Sequence, residues 1–463
     1  MSKPPVRIGA AQGFYGDSPF AALAVAQAGA VNYLVHDALA ELTLAILQKD
    51  RQKDPSMGYA RDIELYARTL YPLAFSQGIR IVSNSGGLNP LSAAEKVAAA
   101  LTKMGITGKK IAAIVGDDVL PQLDQLKAEL PLAHLDTGEL LRNETRSPTH
   151  ANVYIGAATL VDALNSGADL ILAGRVADPC LTLAILCHHF GWDLEATDPE
   201  TRNKLASGIL IGHLLECGGQ ASGGNSYAEW PMDYPLHNLG YPIAEVHADG
   251  SAVFSILEGQ GGKLTRDTLR EQLVYEVHDP ANYLTPDVTA DFTQVTITEL
   301  APNRVEVKGA KGKPRPEQLK LNLGLMDGYL TDQFFFFSWP YAYDKALKFC
   351  EAVEGIWNRL PFRPERTQID IVGVNGIHRE AAPPPNAALL NQLNEIGVRL
   401  TVYHTDPKQG KMALQAITAL GLNGPPGLIS VPGWGNDSRM QLALWPTLVP
   451  RSVVVPHIEI LTS

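Results

Sequence analysis

The sequence predicts an α/β protein: a parallel, doubly wound sheet in the N-terminal domain, an antiparallel hairpin region, and a smaller α+β C-terminal domain. Short apolar runs at 6–10, 31–35, 79–83, 110–115 and 168–173 alternate with alanine-rich amphipathic stretches at 19–28, 59–77 and 91–104. Such alternation argues for a parallel sheet covered on both faces. A distorted barrel is the alternative. From about residue 240 the texture changes to paired strand-like runs: 243–246 with 252–256 around Asp249-Gly250, and 294–299 with 304–308 around Pro302-Asn303. Turn dipeptides between such runs mark hairpins. A third feature, Lys311-Gly312-Lys313-Pro314-Arg315-Pro316, is charged and proline-interrupted, as linkers are.

Beyond that linker, strands are expected at 319–325, 369–374, 398–403 and 453–461, with helices at 341–359 and 407–420. The run Phe334-Phe335-Phe336-Phe337-Ser338-Trp339 reads as a buried strand, since an exposed patch that apolar would need covering. The expected domains are therefore 1–310, with an antiparallel insertion at about 240–310, and 317–463. No internal repeat is visible.

A chain of 463 residues is long enough for two or three cores. Its 38 Lys+Arg against 49 Asp+Glu give a net charge of −11, which argues against nucleic acid as the main partner. None of Cys180, Cys187, Cys217 and Cys350 forms a C-x-x-C pair, which fits a reducing compartment. Neither a signal-peptide core nor an apolar run of membrane-spanning length is present. We expect a cytoplasmic homo-oligomer with a small-molecule substrate and no membrane partner.

The loops after the N-terminal strands carry the functional signal. The first strand releases Gln12-Gly13 and Gly16-Asp17, the second His36-Asp37, and the third Asn84-Ser85-Gly86-Gly87. The fourth releases Gly116-Asp117-Asp118, and the fifth Gly174-Arg175 with Asp178. Ligands of open α/β sheets bind outside the carboxyl ends of the strands, so these loops form a candidate site. The structural alternative is that such connections are rich in Gly, Asp, Asn and Ser because they make turns and helix caps.

His213-Leu214-Leu215-Glu216-Cys217-Gly218-Gly219-Gln220-Ala221-Ser222-Gly223-Gly224-Asn225 adds a base, an acid and a thiol beside a glycine-rich backbone. If His213 to Cys217 is helical, His213 shares a face with Glu216 and Cys217. The plain alternative is a helix with a glycine cap and a loop. Glu216 suits general acid/base work, and Cys217 is a nucleophile only if a basic neighbour lowers its pKa. Arg175 is placed either to hold a carboxylate or phosphate, with Asp178 orienting it, or to form an internal ion pair with Asp178. Asp117 and Asp118 pair a site carboxylate with a helix cap, but no corroborating oxygen ligands support Mg²⁺, and we assign no metal. No zinc spacing, P-loop lysine or G-x-S-x-G elbow occurs. Gly9-Ala10-Ala11-Gln12-Gly13 departs from G-x-G-x-x-G, so NAD is not expected, and no cofactor is predicted.

An ordered set of stretches resembles the AtuA family of acyclic terpene utilisation proteins. It runs Arg7-Ile8-Gly9 to Gly16-Asp17, Asn32-Tyr33-Leu34-Val35, Ile81-Val82-Ser83-Asn84-Ser85-Gly86-Gly87-Leu88-Asn89-Pro90, and Val115-Gly116-Asp117-Asp118. It continues through Gly174-Arg175-Val176-Ala177-Asp178, the His213–Asn225 segment, Gly240-Tyr241-Pro242-Ile243-Ala244-Glu245, Glu258-Gly259-Gln260-Gly261-Gly262 and Tyr283-Leu284-Thr285-Pro286-Asp287-Val288. The resemblance spans roughly the first 330 residues. It implies site positions at Gly13, Gly16, Asp17, Asn84, Gly86, Gly87, Asn89, Asp117, Asp118, Arg175, Asp178, Glu216, Cys217, Gly223, Gly224, Glu258 and Gly261. Ser18 stands where many members have a basic residue, which counts against phosphate binding by that loop.

The resemblance implies an enzyme or accessory protein acting on branched acids or their acyl-CoA thioesters. The leading expectation is a cofactor-independent lyase, hydratase or isomerase. In it Glu216 serves as acid/base beside His213, Cys217 and Asp118, Arg175 holds an acidic group, and glycine-loop N–H groups stabilise an enolate oxygen. The alternative is a non-catalytic ligand-binding or accessory subunit.

Overall fold

A computed structural model describes residues 3–435 and 437–463. The chain begins β1 (Val6–Gln12), α1 (Phe20–Gln27), β2 (Tyr33–His36), α2 (Glu41–Lys53), α3 (Asp62–Ser76), β3 (Arg80–Ser83), α4 (Pro90–Lys103) and β4 (Lys110–Val115). It goes on through α5 (Leu123–Glu129), β5 (Pro148–Val153), α6 (Ala158–Asn165), β6 (Leu170–Ala173), α7 (Cys180–Phe190) and α8 (Pro199–Leu215). Then come β7 (Ile243–Val246), β8 (Ala252–Ser255), α9 (Arg266–Val274), β9 (Tyr283–Leu284), β10 (Thr289–Asp291), β11 (Thr296–Ala301), β12 (Arg304–Lys308), β13 (Lys311–Lys313) and β14 (Gln318–Ser338). The remainder comprises α10 (Ala342–Trp357), β15 (Arg366–Val372), α11 (Ala387–Leu390), β16 (Glu395–His404), α12 (Pro407–Gln415), α13 (Leu420–Asn423), β17 (Leu428–Gly435), β18 (Arg439–Pro450) and β19 (His457–Thr462).

Two compact units result, one reaching Gly324 and including Leu444–Ser463, the other Leu325–Ala443. This differs from the expected division of 1–310 and 317–463. The reason is β19, which returns to pair antiparallel with β4 from His457↔Val115 to Thr462↔Lys110. The expected linker at 311–316 is also partly strand: β13 pairs antiparallel with β10, and Gly312 N–H donates to Asn203 Oδ1 at 2.9 Å. Lys311 and Lys313 lie on a short strand, where polar side chains are tolerated as readily as in a linker.

The first unit is built on a ten-stranded mixed sheet in the order β11-β12-β8-β7-β1-β2-β3-β6-β4-β19. Strands β1, β2, β3, β6 and β4 are parallel. The winding advances in one direction from β1 to β4 and steps back only to place β6, so it departs from the doubly wound order. Strand–helix alternation specifies crossovers but not strand order, which is why the sequence did not distinguish the two.

Residues of α1, α3 and α4 form one core with Ala11, Leu34, Ile81, Ile111, Ala113, Leu170 and Leu172 of the sheet. The alternate strand residues Ile8, Val35, Val82, Ala112 and Ile171 are equally buried outside that core, and α7 packs on β1, β2 and β3. Period-two alternation thus serves both faces of the sheet.

The second unit carries a sheet in the order β15-β16-β14-β17. Its core includes Phe335 and Phe337, while Phe334 and Phe336 are half-buried. The aromatic run is therefore a strand with one face fully covered. Among the described residues no helix is long and apolar enough to cross a membrane.

Helix α8 matters most for the site. It starts at the Asp198 cap with Pro199 in its first turn, and Leu205 through Leu215 are all buried. Gly212 lies against the backbone of Pro179, where an added Cβ would stand 2.4 Å from the Pro179 carbonyl oxygen. That close approach sets the end of α8 beside the start of α7.

Alanine at Gly212 would gain about 1 kcal/mol of helix propensity. Overpacking against backbone that cannot swing aside costs roughly 1–3 kcal/mol. We therefore expect Gly212→Ala to be net destabilised in a denaturant titration and to lose function beyond its loss of stability. A variant as stable as the wild type would contradict the tight-approach reading.

Candidate active site

The carboxyl ends of β2, β3 and β6 and the end of α8 deliver polar side chains to one place. Asp37 follows β2, Asn84 follows β3, Arg175 and Asp178 follow β6, and Glu216 follows α8. One carboxylate oxygen from each of Asp37, Asp178 and Glu216 lies within 4.8 Å of the other two. Asp37 is 6% and Glu216 8% exposed, whereas the Asp178 side chain is 28% exposed and forms the open side.

Each acid has its own support. Asn84 Nδ2 donates to Asp37 Oδ1 at 2.8 Å, and Asn84 Oδ1 accepts the Ala38 N–H at 2.6 Å. Arg175 grips Asp178 with two bonds, Nη1 to Oδ1 at 2.7 Å and Nη2 to Oδ2 at 3.1 Å. Its Nη1 also donates to the Leu39 carbonyl at 2.9 Å. The guanidinium carbon stands 4.1 Å from the centroid of the Tyr154 ring, whose hydroxyl donates to Glu41. Arg175 is 2% exposed, so its terminal nitrogens serve the protein rather than an incoming acid. Of the two readings of this pair, the internal ion pair is the one that the geometry forms.

His213 Nδ1 lies 2.7 Å from Glu216 Oε1, with the imidazole against the rings of Tyr283 and Phe292. Of the two readings of this segment, the helix that ends before a glycine-rich loop is the one found, and no helical face runs through Cys217. The helix ends at Leu215, Glu216 is extended with ψ 169°, and Cys217 takes a left-handed φ of 61°. His213 and Glu216 still meet, because the extended residue turns back over the last helical turn.

Burial pushes the Asp37 carboxyl well above the usual range, and Asp178 and Glu216 push further, against Asn84 and Arg175. Burial raises Glu216 to about 6, opposed by His213 and assisted by Asp178 and Glu276. Burial would lower His213, but Glu216 outweighs it and the imidazole is raised. For Cys217, burial and then Glu216, Asp37, Glu276 and Asp178 all push the thiol up. Thiolate chemistry therefore has no electrostatic support here, since a reactive cysteine needs a cationic neighbourhood.

The glycine loops meet the cluster through backbone. A Cβ on Gly13 would stand 2.2 Å from the Gly218 nitrogen, so only glycine allows the loop after β1 to lie on the Cys217-Gly218 segment. Asp17 ties this contact, accepting the Gly13 N–H at 2.8 Å and the Tyr241 hydroxyl at 2.5 Å.

Other expected positions serve the scaffold. Asn89 caps α4 and bonds the Met57 carbonyl at 3.0 Å. Gly86 and Gly87 pack against Ala173 and Leu47. Asp118 accepts the Leu120 N–H at 2.9 Å and pairs with Arg51 at 3.5 Å. Gly223 accepts the Tyr234 hydroxyl at 2.8 Å, and Gly224 donates to Gly219. Gly261 bonds residues 238 and 240 through its backbone, and Glu258 is exposed. Asp37 lies in one of the strand-end loops that the sequence singles out, though with no role of its own there, and Glu276 stands in none of the sequence's motifs. Asp37 had one usable signal, its place directly after a predicted strand.

Asp117 is a separate buried acid. Its Oδ2 accepts Asn152 Nδ2 at 2.8 Å and the Arg175 N–H at 2.9 Å, yet burial outweighs these and pushes it up to about 6. A carboxyl raised on folding makes the native state bind protons more tightly. Its contribution is therefore greatest at acid pH and is lost as pH rises from about 4 to about 6. The loss should be about 3 kcal/mol. Asp117→Asn keeps an acceptor and should remove that part of the stability-versus-pH slope. An unchanged slope in chemical denaturation would refute the assignment.

A family model described as acyclic terpene utilisation family protein AtuA matches residues 6–460, extending well past the stretches that carry the resemblance in sequence. No curated protein matches the chain, and no solved structure does. With nearly its whole length matched by that model, the chain belongs to the AtuA family of acyclic terpene utilisation proteins.

Proposed function

We propose that the chain is an enzyme of branched-chain, acyclic terpene-type acid catabolism: a lyase, hydratase or isomerase acting on a branched acyl-CoA or the corresponding carboxylate without an organic cofactor. The observation that carries this reading is the His213–Glu216 contact of 2.7 Å, buried beside Asp37 and Asp178 at the carboxyl edge of the parallel sheet. A carboxylate–imidazole pair in such a place is equipped to move a proton. Glu216 Oε1 is held by His213, while Oε2 is buried without a hydrogen-bond partner.

In the proposed step the C–H bond beside the carbonyl breaks, its electron pair moves onto the carbonyl oxygen, and the proton passes to Glu216. Returning the proton at another carbon gives an isomerase. Losing a β-substituent gives a lyase or, for hydroxide, a dehydration run in reverse by a hydratase. His213 orients Glu216, and Arg175 acts as a positioning residue by holding Asp178. Glycine-loop N–H groups would be worth a few kcal/mol to the enolate oxygen.

Glu216→Gln should lower turnover of a branched acyl-CoA or acid about a hundredfold or more, with an unchanged unfolding midpoint. A variant that turns over at the wild-type rate would remove Glu216 from the chemistry. Ligand binding with no turnover by the wild type would favour a binding or accessory role instead.

A further inference from the structure

We infer that Asp37, Asp178 and Glu216 form a site for a hard divalent cation such as Mg²⁺ or Mn²⁺. Three carboxylates reach this point from three separate segments, each with one oxygen within 4.8 Å of the others. Oxygen ligands of octahedral Mg²⁺ stand about 3 Å apart when adjacent and about 4.2 Å when opposite, so the three oxygens would each move by up to about 1 Å to close on an ion. An all-oxygen donor set selects hard cations over zinc or copper.

The second observation is a buried acceptor with no partner. Glu216 is 8% exposed, its Oε1 meets His213, and its Oε2 accepts no hydrogen bond. The existing positive charges are engaged elsewhere in the cluster: Arg175 on Asp178, and His213 on Glu216. The hydrogen bond given to Asp37 comes from neutral Asn84. Arg175 uses one lone pair on each Asp178 oxygen, which leaves a further pair on each for a metal. The Asp178 side chain is 28% exposed, so the ion would enter from its side.

This inference rests on the reading of the cluster as the reaction centre, and it refines that reading. The cation would polarise the carbonyl oxygen of the substrate, a role otherwise left to amide dipoles. Glu216 would hold the ion through Oε2, and Oε1, shared with His213, would remain the proton acceptor.

The test is a titration of the chelator-treated, dialysed full-length chain with Mn²⁺ alone, followed by electron paramagnetic resonance of free Mn²⁺. One saturable Mn²⁺ per chain is expected, displaced by Mg²⁺. Asp37→Asn and Glu216→Gln should each weaken binding at least tenfold. Folding of Asp37→Asn is checked by its metal-free unfolding midpoint, expected to be no lower than wild type because a buried like charge is gone. No saturable binding by the wild type, or equal binding by the folded variants, overturns the cation site. If Mn²⁺ fails to bind while Glu216→Gln is inactive, the cation falls and the acid–base reading stands. If Mn²⁺ binding depends on Asp37 while Glu216→Gln turns over normally, the cation site stands and the reaction-centre reading falls.

Discussion

Like-charge repulsion between three neighbouring carboxylates is the constraint around which the first unit is organised. Two of the three are almost fully buried, where the charged form is expensive unless paired. The fold answers with one partner for each acid: an amide for Asp37, a two-bond guanidinium for Asp178 and an imidazole for Glu216. Taking any one partner away would leave a buried charge uncompensated, which costs more than the contact itself contributes.

Those partners are in turn fixed by features that have nothing to do with proton chemistry. Arg175 is stacked on Tyr154 and tied to the Leu39 carbonyl, so its fork points one way. Gly212 lets α8 touch the Pro179 backbone, which brings Glu216 to Asp178 across the start of α7. Gly13 lets the loop after β1 rest on Cys217-Gly218, which closes the other side. Small residues here act as distance setters, and the acids they position come from distant parts of the chain.

Much of this was legible in the sequence, for a physical reason. Buried parallel strands announce themselves as short apolar runs, and the polar residues just after them mark the carboxyl edge. Asn84, Arg175, Asp178 and Asp37 stand out that way, and His213 and Glu216 by their place before a glycine-rich run. The role of Asp37 stays hidden, because a single acid after a strand looks like any turn residue until a second and third acid face it. The exact end of α8 is hard to read for a local reason: Leu214-Leu215 continues the helical pattern, and the break comes at Glu216, which is extended, and at the left-handed Cys217. The return of β19 to β4 was beyond local reading, since pairing of distant strands leaves no mark in either segment alone. Strand order in the sheet was hidden for the same reason.

The claim that the Asp37–Asp178–Glu216 cluster is the place of reaction is tested most directly by a crystal structure of Glu216→Gln with a bound ligand. That ligand would be the branched acyl-CoA or free acid that most raises the unfolding temperature of the wild type. The account predicts the acyl carbonyl or carboxylate within hydrogen-bonding or metal-bridging distance of the three side chains. A ligand seated elsewhere, for example in the surface groove lined by Glu200, Lys204, Asp249 and Lys308, would contradict it.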